Sequence, residues 1–516
     1  MVQETTMLER AVGPTEKGAL THNGDKGYFF RNKTLTTSTC NPYIKTFKAM
    51  EYAARGPVIL RAMQIEAELR SGVKKPFRQV IKANLGDAHA MGQKPLSFVR
   101  QVLALVACPN LLETTHYFPD DVKLKARSIL DQCRGGSVGA YTDSRGLEVV
   151  RKCVADYIER RDGIPSDPEN IVVTAGASEG IRSCLKLFKG VEGEEKRSGV
   201  LVPVPEYPLY SATLGEYNIA KINYYLDESD GWGLSRVELE RALTEGRKVA
   251  EPRAIVVINP GNPTGQVLTR SNMEQVIRFA YDERLVILAD EVYQDNVYED
   301  AEFVSFKKVL SQMPAPFNGV ELVSFYSCSK GFVCECGLRG AYFECTNMDP
   351  EVKSILLATA AAKLCPTVLG QAAVACSVDP PRPGDPSYAA FRYEKDNILN
   401  GLGERARLVT EVFNSIPLVS CSPVQGALYA FPNVQLPQSA INAAIRLGQE
   451  PDVFYALELL EETGICVVPG SGIGQKEGTF HFRTTILPET SQLVDMLDRF
   501  KIFHLNFIKK YATLET

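Results

Sequence analysis

Leu322-Val323-Ser324-Phe325-Tyr326-Ser327-Cys328-Ser329-Lys330-Gly331, continuing to Arg339, is the stretch on which the reading of this chain turns. Residues 322–326 form an apolar run, β-branched and aromatic in part, which reads as a buried strand. The run stops in small hydroxyl residues, one lysine and a glycine. Strand ends in α/β sheets are where ligands bind. Ser327 offers a hydroxyl to an anion, and Arg339 offers a planar fork suited to a phosphate. Lys330 between them presents an amine, which Schiff-base chemistry needs. Taken alone, the same residues describe a surface loop with a solvated lysine, because short motifs often match by chance.

The neighbouring sequence supports the strand. Continuous apolar runs recur at 171–174, 200–204, 254–258 and 285–289, with helical patterns between them, for example over 272–281. The run 322–326 closes the series. Uninterrupted apolar strands alternating with helices are the pattern of a mostly parallel sheet covered on both faces. Several of these runs end in residues suited to ligand chemistry. Ala175-Gly176-Ala177-Ser178 follows the first and opens a helix, where free backbone N–H groups make an anion site. Ser178 serves equally as a helix cap. Tyr207 follows the second run, Asn259-Pro260-Gly261-Asn262-Pro263-Thr264-Gly265 the third, and Asp290-Glu291-Val292-Tyr293 the fourth.

Composition bounds the alternatives. At 516 residues the chain exceeds what one core usually serves, so two domains are expected. Lys plus Arg is 57 and Asp plus Glu is 62, a net charge of -5 that disfavours nucleic acid or an anionic membrane as partner. No apolar run approaches the roughly 20 residues of a membrane span. Thirteen cysteines, an odd number without zinc-type spacing, read as reduced thiols with no metal site. The mixed charges of residues 1–42 fit neither a transit peptide nor a secretory signal. That segment is expected to be a flexible extension and the protein cytoplasmic, with the mitochondrion left open.

Outside the strand–helix series, 43–71 is helical in pattern, with Pro57 starting its main helix. Residues 80–86 read as a short strand ending at Gly86. That glycine marks either a plain turn or a close backbone approach to a ligand. A helix over 96–106 follows. Residues 135–146 are glycine-rich and precede a helix over 147–160. Tyr141 in that loop is a contact for a ligand or a second subunit, or a surface tyrosine. After a proline-rich linker at 379–386 come a long helix, 388–413, and short strands at 427–431, 465–468 and 479–483. The expected organisation is a large domain, 116–377, and a smaller α+β domain built from both chain ends, 43–115 and 378–516.

Ser178, Tyr207, Asn262, Asp290 with Tyr293, and Lys330 all fall at strand C-termini, in residue types that pyridoxal phosphate requires. A buried carboxylate such as Asp290 keeps a pyridine nitrogen protonated and makes the ring an electron sink. The set Asn259-Pro260-Gly261-Asn262-Pro263-Thr264-Gly265, Asp290-Glu291-Val292-Tyr293, Ser327-x-Ser329-Lys330 and Arg339 resembles the fold-type I, class I/II aminotransferases. The resemblance runs from about residue 45 to the end. Gly231-Trp232-Gly233-Leu234, Glu335-Cys336-Gly337-x-Arg339-Gly340, Val468-Pro469-Gly470-Ser471-Gly472 and His481-Phe482-Arg483-Thr484 are similar to the alanine-type members.

The resemblance implies a set of roles. Lys330 carries pyridoxal phosphate as a Schiff base and later moves the proton. Asp290 pairs with the pyridinium, and Asn262 and Tyr293 bond the ring's phenolic oxygen. Tyr207 stacks on the ring. Ala177, Ser178, Ser327 and Arg339 hold the phosphate, joined by Tyr141 from the partner subunit of a homodimer with shared sites. Arg483, with Gly86 and Asn262, binds the substrate. The Asn262–Pro263 bond is often cis in the family. Two departures stand out: Arg339 lies nine residues after Lys330, where many relatives have eight, a spacing that alanine-type members share. Gly331-Phe332-Val333-Cys334 replaces a tyrosine- and glycine-containing run. The implied reaction is ping-pong exchange of an amino group between L-alanine and 2-oxoglutarate. Glutamate–glyoxylate or aromatic specificity, and a pyridoxal-phosphate-binding regulator without turnover, are the alternatives.

Overall fold

Seven strands make one sheet in the order β1-β7-β6-β5-β4-β2-β3. They are β1 (Ile171–Thr174), β2 (Ser198–Val204), β3 (Ala220–Tyr225), β4 (Glu251–Ile258), β5 (Val286–Asp290), β6 (Leu322–Ser327) and β7 (Ala341–Thr346). This is a computed structural model. It describes residues 56–114, 116–190, 196–298 and 301–512, all within one compact unit, 46–516. The extension expected over 1–42 lies outside the described residues.

From β3 to β6 every neighbouring pair is parallel. The residues of each strand alternate between two cores, as the period of two requires. Leu201, Ile255, Val257, Ile287 and Ala289 join one cluster. Val200, Val202, Ala254, Val256 and Leu288 join the other. Both faces are therefore covered, which explains the unbroken apolar runs.

Two strands of this sheet escaped the sequence reading, and the series does not close at 322–326. β7 lies between β6 and β1 and is antiparallel to both. Its apolar run is broken by Glu344, which is buried and paired with Lys307 at 2.6 Å. β3 is the edge strand, and Lys221 and Asn223 alternate outward from it. Half-exposed strands lack the continuous apolar signal.

A second region gathers both chain ends. Val58, Ile65, Phe77 and Ile81 share one core with Leu402, Phe413, Leu459, Phe500 and Phe503. Its helices are Pro57–Arg70, the C-terminal half of Tyr388–Asn414, Pro451–Thr463 and Thr490–Ala512. Pro57 opens the first of these, with its missing N–H at a position that has no intrahelical acceptor. The strands here are short: β8 (Val419–Ser420), β9 (Tyr429–Ala430), β10 (Asn433–Val434), β11 (Val468–Pro469) and β12 (Phe482–Thr485). They form a β11-β12-β9 sheet and a β10-β8 pair. The strand expected at 80–86 is reduced to one bridge, Ile81 to Ile465. The helix Ser97–Ala107 packs through Phe98, Val102 and Leu105 with the cluster holding Tyr326 and Tyr342 of the large sheet. Every cysteine among the described residues is free. No helix among them is long and apolar enough to cross a membrane.

The Lys307–Glu344 pair gives a test of the sheet at β7. Glu344 also accepts from Ser166 Oγ at 2.6 Å. Lys307→Met should leave that carboxylate buried without its counter-ion, at a cost of about 3–5 kcal/mol. The double variant Lys307→Met, Glu344→Leu should regain most of the loss. Urea midpoints of the three proteins measure this, and equal losses in the single and double variants would contradict it.

Candidate active site

The parallel register of β4, β5 and β6 sets Ile258 against Asp290 and Asp290 against Phe325. Chain leaving these strands therefore emerges along one edge of the sheet, where it encloses a cavity of about 340 Å³. Its walls include Gly86, Ala177, Ser178, Tyr207, Asn262, Asp290, Tyr293, Ser327, Lys330, Arg339 and Arg483. Every candidate site residue except Tyr141 is thus brought to one place. Tyr141 is 65% exposed and lies off this wall.

One end of the cavity is built for an anion. The helix Ala177–Leu185 starts three residues after β1, and no side chain caps it. Gly176 has φ +90°, and a Cβ there would meet Arg339 Nη2 at 2.1 Å. The guanidinium thus lies directly against the helix N-terminus, a position only glycine leaves open. Arg339 Nη1 donates to Cys336 O at 2.9 Å. Ser327 Oγ donates to Gly340 O and accepts from Ser329 N. The buried Ser329 hydroxyl has no partner. Guanidinium, helix terminus and hydroxyl together suit a phosphate.

Asp290 lies deep in the cavity, 3% exposed. Its Oδ2 accepts from Tyr210 Oη at 2.9 Å, and Oδ1 has no hydrogen bond. Burial pushes this carboxyl up to about 6. Glu291 does not line the cavity; it accepts from Phe306 N at 2.7 Å, and burial pushes it to about 8.

The opposite wall carries Arg483, delivered by β12. Its Nη1 donates to Asn262 Oδ1 at 3.2 Å and its Nη2 to Asn84 O at 2.9 Å. Nε is buried without a partner. Lys330 Nζ donates to Gly86 O at 2.8 Å. A Cβ on Gly86 would meet Tyr429 Oη at 1.8 Å and Lys330 Nζ at 3.2 Å. Gly86 is therefore a point of close approach, and the alternative of a plain turn falls away. The Asn262–Pro263 bond is cis.

Sequence reasoning missed Tyr210, Asn84 and Tyr429. Tyr210 sits one helical turn beyond Tyr207, a spacing that gave a signal. Tyr429 lay inside a strand read only as core. Nothing local marked Asn84, whose carbonyl matters only once β12 is alongside. Among the described residues no group of three or more His, Cys, Asp or Glu is placed to hold a metal ion.

Asp290 makes stability of the ligand-free protein depend on pH. Its folded value, about 6, lies above the ordinary aspartate value of 3.8, so the protonated form favours the folded state. That contribution is complete below pH 3.8 and is lost as pH rises through about 6. Asp290→Asn removes the dependence, while Glu291 is common to both proteins. The stability of the variant relative to wild type should therefore grow by about 2 kcal/mol between pH 4 and pH 7. Parallel denaturant titrations read this, and a constant gap would show Asp290 to be solvated.

Residues 101–500 match the family model described as aminotransferase class I and II. The chain is 54% identical over 485 residues to human alanine aminotransferase 1, covering 93% of this chain and 97% of that protein. It is 47% identical over 485 residues to Arabidopsis thaliana glutamate–glyoxylate aminotransferase 1, covering 93% and 98%. The fold is like that of alanine aminotransferase from Pyrococcus furiosus, with a TM-score of 0.69, 24% identity, and coverage of 90% and 99%. A match of this extent, on a chain whose cavity gathers the same motifs, shows that the protein belongs to the class I and II aminotransferases.

Proposed function

We propose that this aminotransferase uses pyridoxal phosphate to move an amino group between L-alanine and 2-oxoglutarate. The observation that carries the reading is that Lys330, Asp290 and Arg483, from three separate elements, line one cavity. The cofactor fits what the cavity leaves open. The anion cradle at Arg339 and the helix Ala177–Leu185 suits its phosphate. The unpartnered Asp290 Oδ1 and Ser329 Oγ are buried acceptors and donors awaiting a partner. Ala177, Ser178, Ser327 and Arg339 would hold the phosphate, Asp290 the ring nitrogen, Asn262 and Tyr293 the phenolic oxygen, and Tyr207 the ring face. The bound cofactor supplies an electron sink for the substrate's Cα.

The chain's own groups do the rest. Arg483 clamps the substrate α-carboxylate, with its Nη1 held by Asn262 Oδ1, its Nη2 by the Asn84 carbonyl, and its Nε left open. Lys330 Nζ takes the Cα proton of the amino donor in one half-reaction and delivers a proton to the Cα of the new amino acid in the other. Asp290, buried and aided by Tyr210, keeps a cationic partner charged. Gly86 and Asn262 complete the substrate's contacts. High identity to a protein named alanine aminotransferase favours alanine as donor. The relative named for glutamate and glyoxylate makes glyoxylate the competing acceptor. The free cysteines are consistent with a reducing compartment such as the cytoplasm. We further propose the domain division 43–115 with 378–516 against 116–377.

Purified protein loaded with pyridoxal phosphate should carry the cofactor on Lys330 after borohydride reduction. A panel of amino donors with 2-oxoglutarate, read as glutamate formed, should rank alanine first. A label on another lysine would remove the catalytic assignment, and a higher rate with glyoxylate as acceptor would change the substrate pair.

The exposed Tyr141 is assigned across a homodimer interface, reaching the partner's phosphate. Co-expressed Lys330→Ala and Tyr141→Ala chains, each inactive alone, should then pair at random. Half the dimers are mixed, and each has one intact site of two, giving about a quarter of wild-type activity. Mixed dimers confirmed by mass that show only the parents' average would mean that Tyr141 does not cross the interface.

A further inference from the structure

We infer that Tyr429 is a positioning residue of this reaction, its ring seating the Arg483 guanidinium and its hydroxyl oxygen holding the Lys330 amine at the substrate's Cα. The inference rests on the transaminase reading above and assigns the residue that joins its two ends.

Tyr429 lies on β9, which pairs with β12 through Thr485. It is 4% exposed and lines the cavity. The guanidinium carbon of Arg483 sits 4.4 Å from its ring centroid. A cation over a desolvated aromatic face is attracted by the ring quadrupole. The unpartnered Nε is thereby kept facing the cavity. The hydroxyl and Lys330 Nζ crowd the same point, the place a Gly86 side chain would start, at 1.8 and 3.2 Å. The Tyr293 ring meets Tyr429 edge-on, with centroids 6.2 Å apart, and its hydroxyl bonds the Tyr429 oxygen. One side chain thus lies against the carboxylate clamp and crowds the glycine to which the base is bonded.

The charge around the hydroxyl agrees. Burial opposes its ionisation, but the Lys330 and Arg483 cations and the Tyr293 bond outweigh burial and hold it below the usual phenol value, with the Cys336 thiol acting weakly against them. In the proposed reaction the Lys330 lone pair takes the Cα proton and the amine becomes an ammonium. The Tyr429 oxygen accepts a hydrogen bond from that ammonium and gives up no proton of its own. When the amine returns the proton, the bond relaxes.

Tyr429→Phe keeps the ring and removes the oxygen, whereas Tyr429→Leu removes both. In cofactor-free protein, the ultraviolet tyrosinate titration of wild type minus Tyr429→Phe should show a phenol ionising below the exposed tyrosines. The same difference in a Lys330→Ala background should move up in pH. In loaded enzyme, Tyr429→Phe should lower kcat about tenfold, or 1.4 kcal/mol, and raise the α-deuterium isotope effect at nearly constant KM. Tyr429→Leu should in addition raise KM for amino acid and 2-oxo acid alike, which Phe at that position rescues. Unchanged kcat and isotope effect in Tyr429→Phe, or no early-ionising phenol, would overturn the inference while wild type still washes deuterium from the donor's Cα. Wild type that exchanges no deuterium would sink the transaminase reading and this inference with it.

Discussion

Everything in the cavity depends on the parallel register of β4, β5 and β6. Hydrogen bonding between parallel strands brings their C-terminal ends to a common edge, so three separate stretches of sequence deliver their next residues to one place. Ile258 opposes Asp290, and Asp290 opposes Phe325. From that edge Asn262, Tyr293 and Lys330 all reach the same cavity. β7 enters antiparallel between β6 and β1 and so keeps β1, with the helix it feeds, one strand away from Lys330. The phosphate-type cradle and the amine are spaced by that insertion.

The cavity is held in a state of unmet demand. Asp290 is buried with one oxygen free, Arg483 has a buried Nε without an acceptor, and Ser329 has a hydroxyl without a partner. Each such group costs about 1–3 kcal/mol where it lacks a partner. Tyr210, Asn262 and Asn84 partly satisfy the charged groups and so reduce this cost. A ligand carrying an anion, a cation and a carboxylate-bearing partner removes the penalty, so affinity and preorganisation share one origin.

Arg483 shows why the region built from both chain ends is needed. Its strand, β12, is anchored by a core that joins residues near 60 to residues near 500. Its fork is fixed by Asn84 from the first of those segments and by Asn262 from the loop after β4. The arginine therefore reports on the alignment of two cores at once, and Tyr429, one strand over, lies beneath it.

The apolar runs of β1, β2, β4, β5 and β6 were legible in the sequence because both faces of those strands are buried, leaving no polar alternation to confuse them. The residues after them were legible because lysine, aspartate and asparagine at strand ends are unusual enough to notice. β3 was hidden by its edge position and β7 by Glu344, whose burial makes sense only with Lys307 beside it. The short strands expected at 427–431, 465–468 and 479–483 are there as β9, β11 and β12, whereas β8 and β10, two residues each, are too short to show a period. By itself the sequence determined the strand series, the helix starts and the chemical types at the strand ends, because these follow from local periodicity. The tertiary structure alone decided that Asn84, Gly86 and Tyr429 meet Arg483 and Lys330. The Asn84–Arg483 and Gly86–Lys330 bonds span 399 and 244 residues of chain, and only the packing of the cores brings those segments, and Tyr429 with them, together.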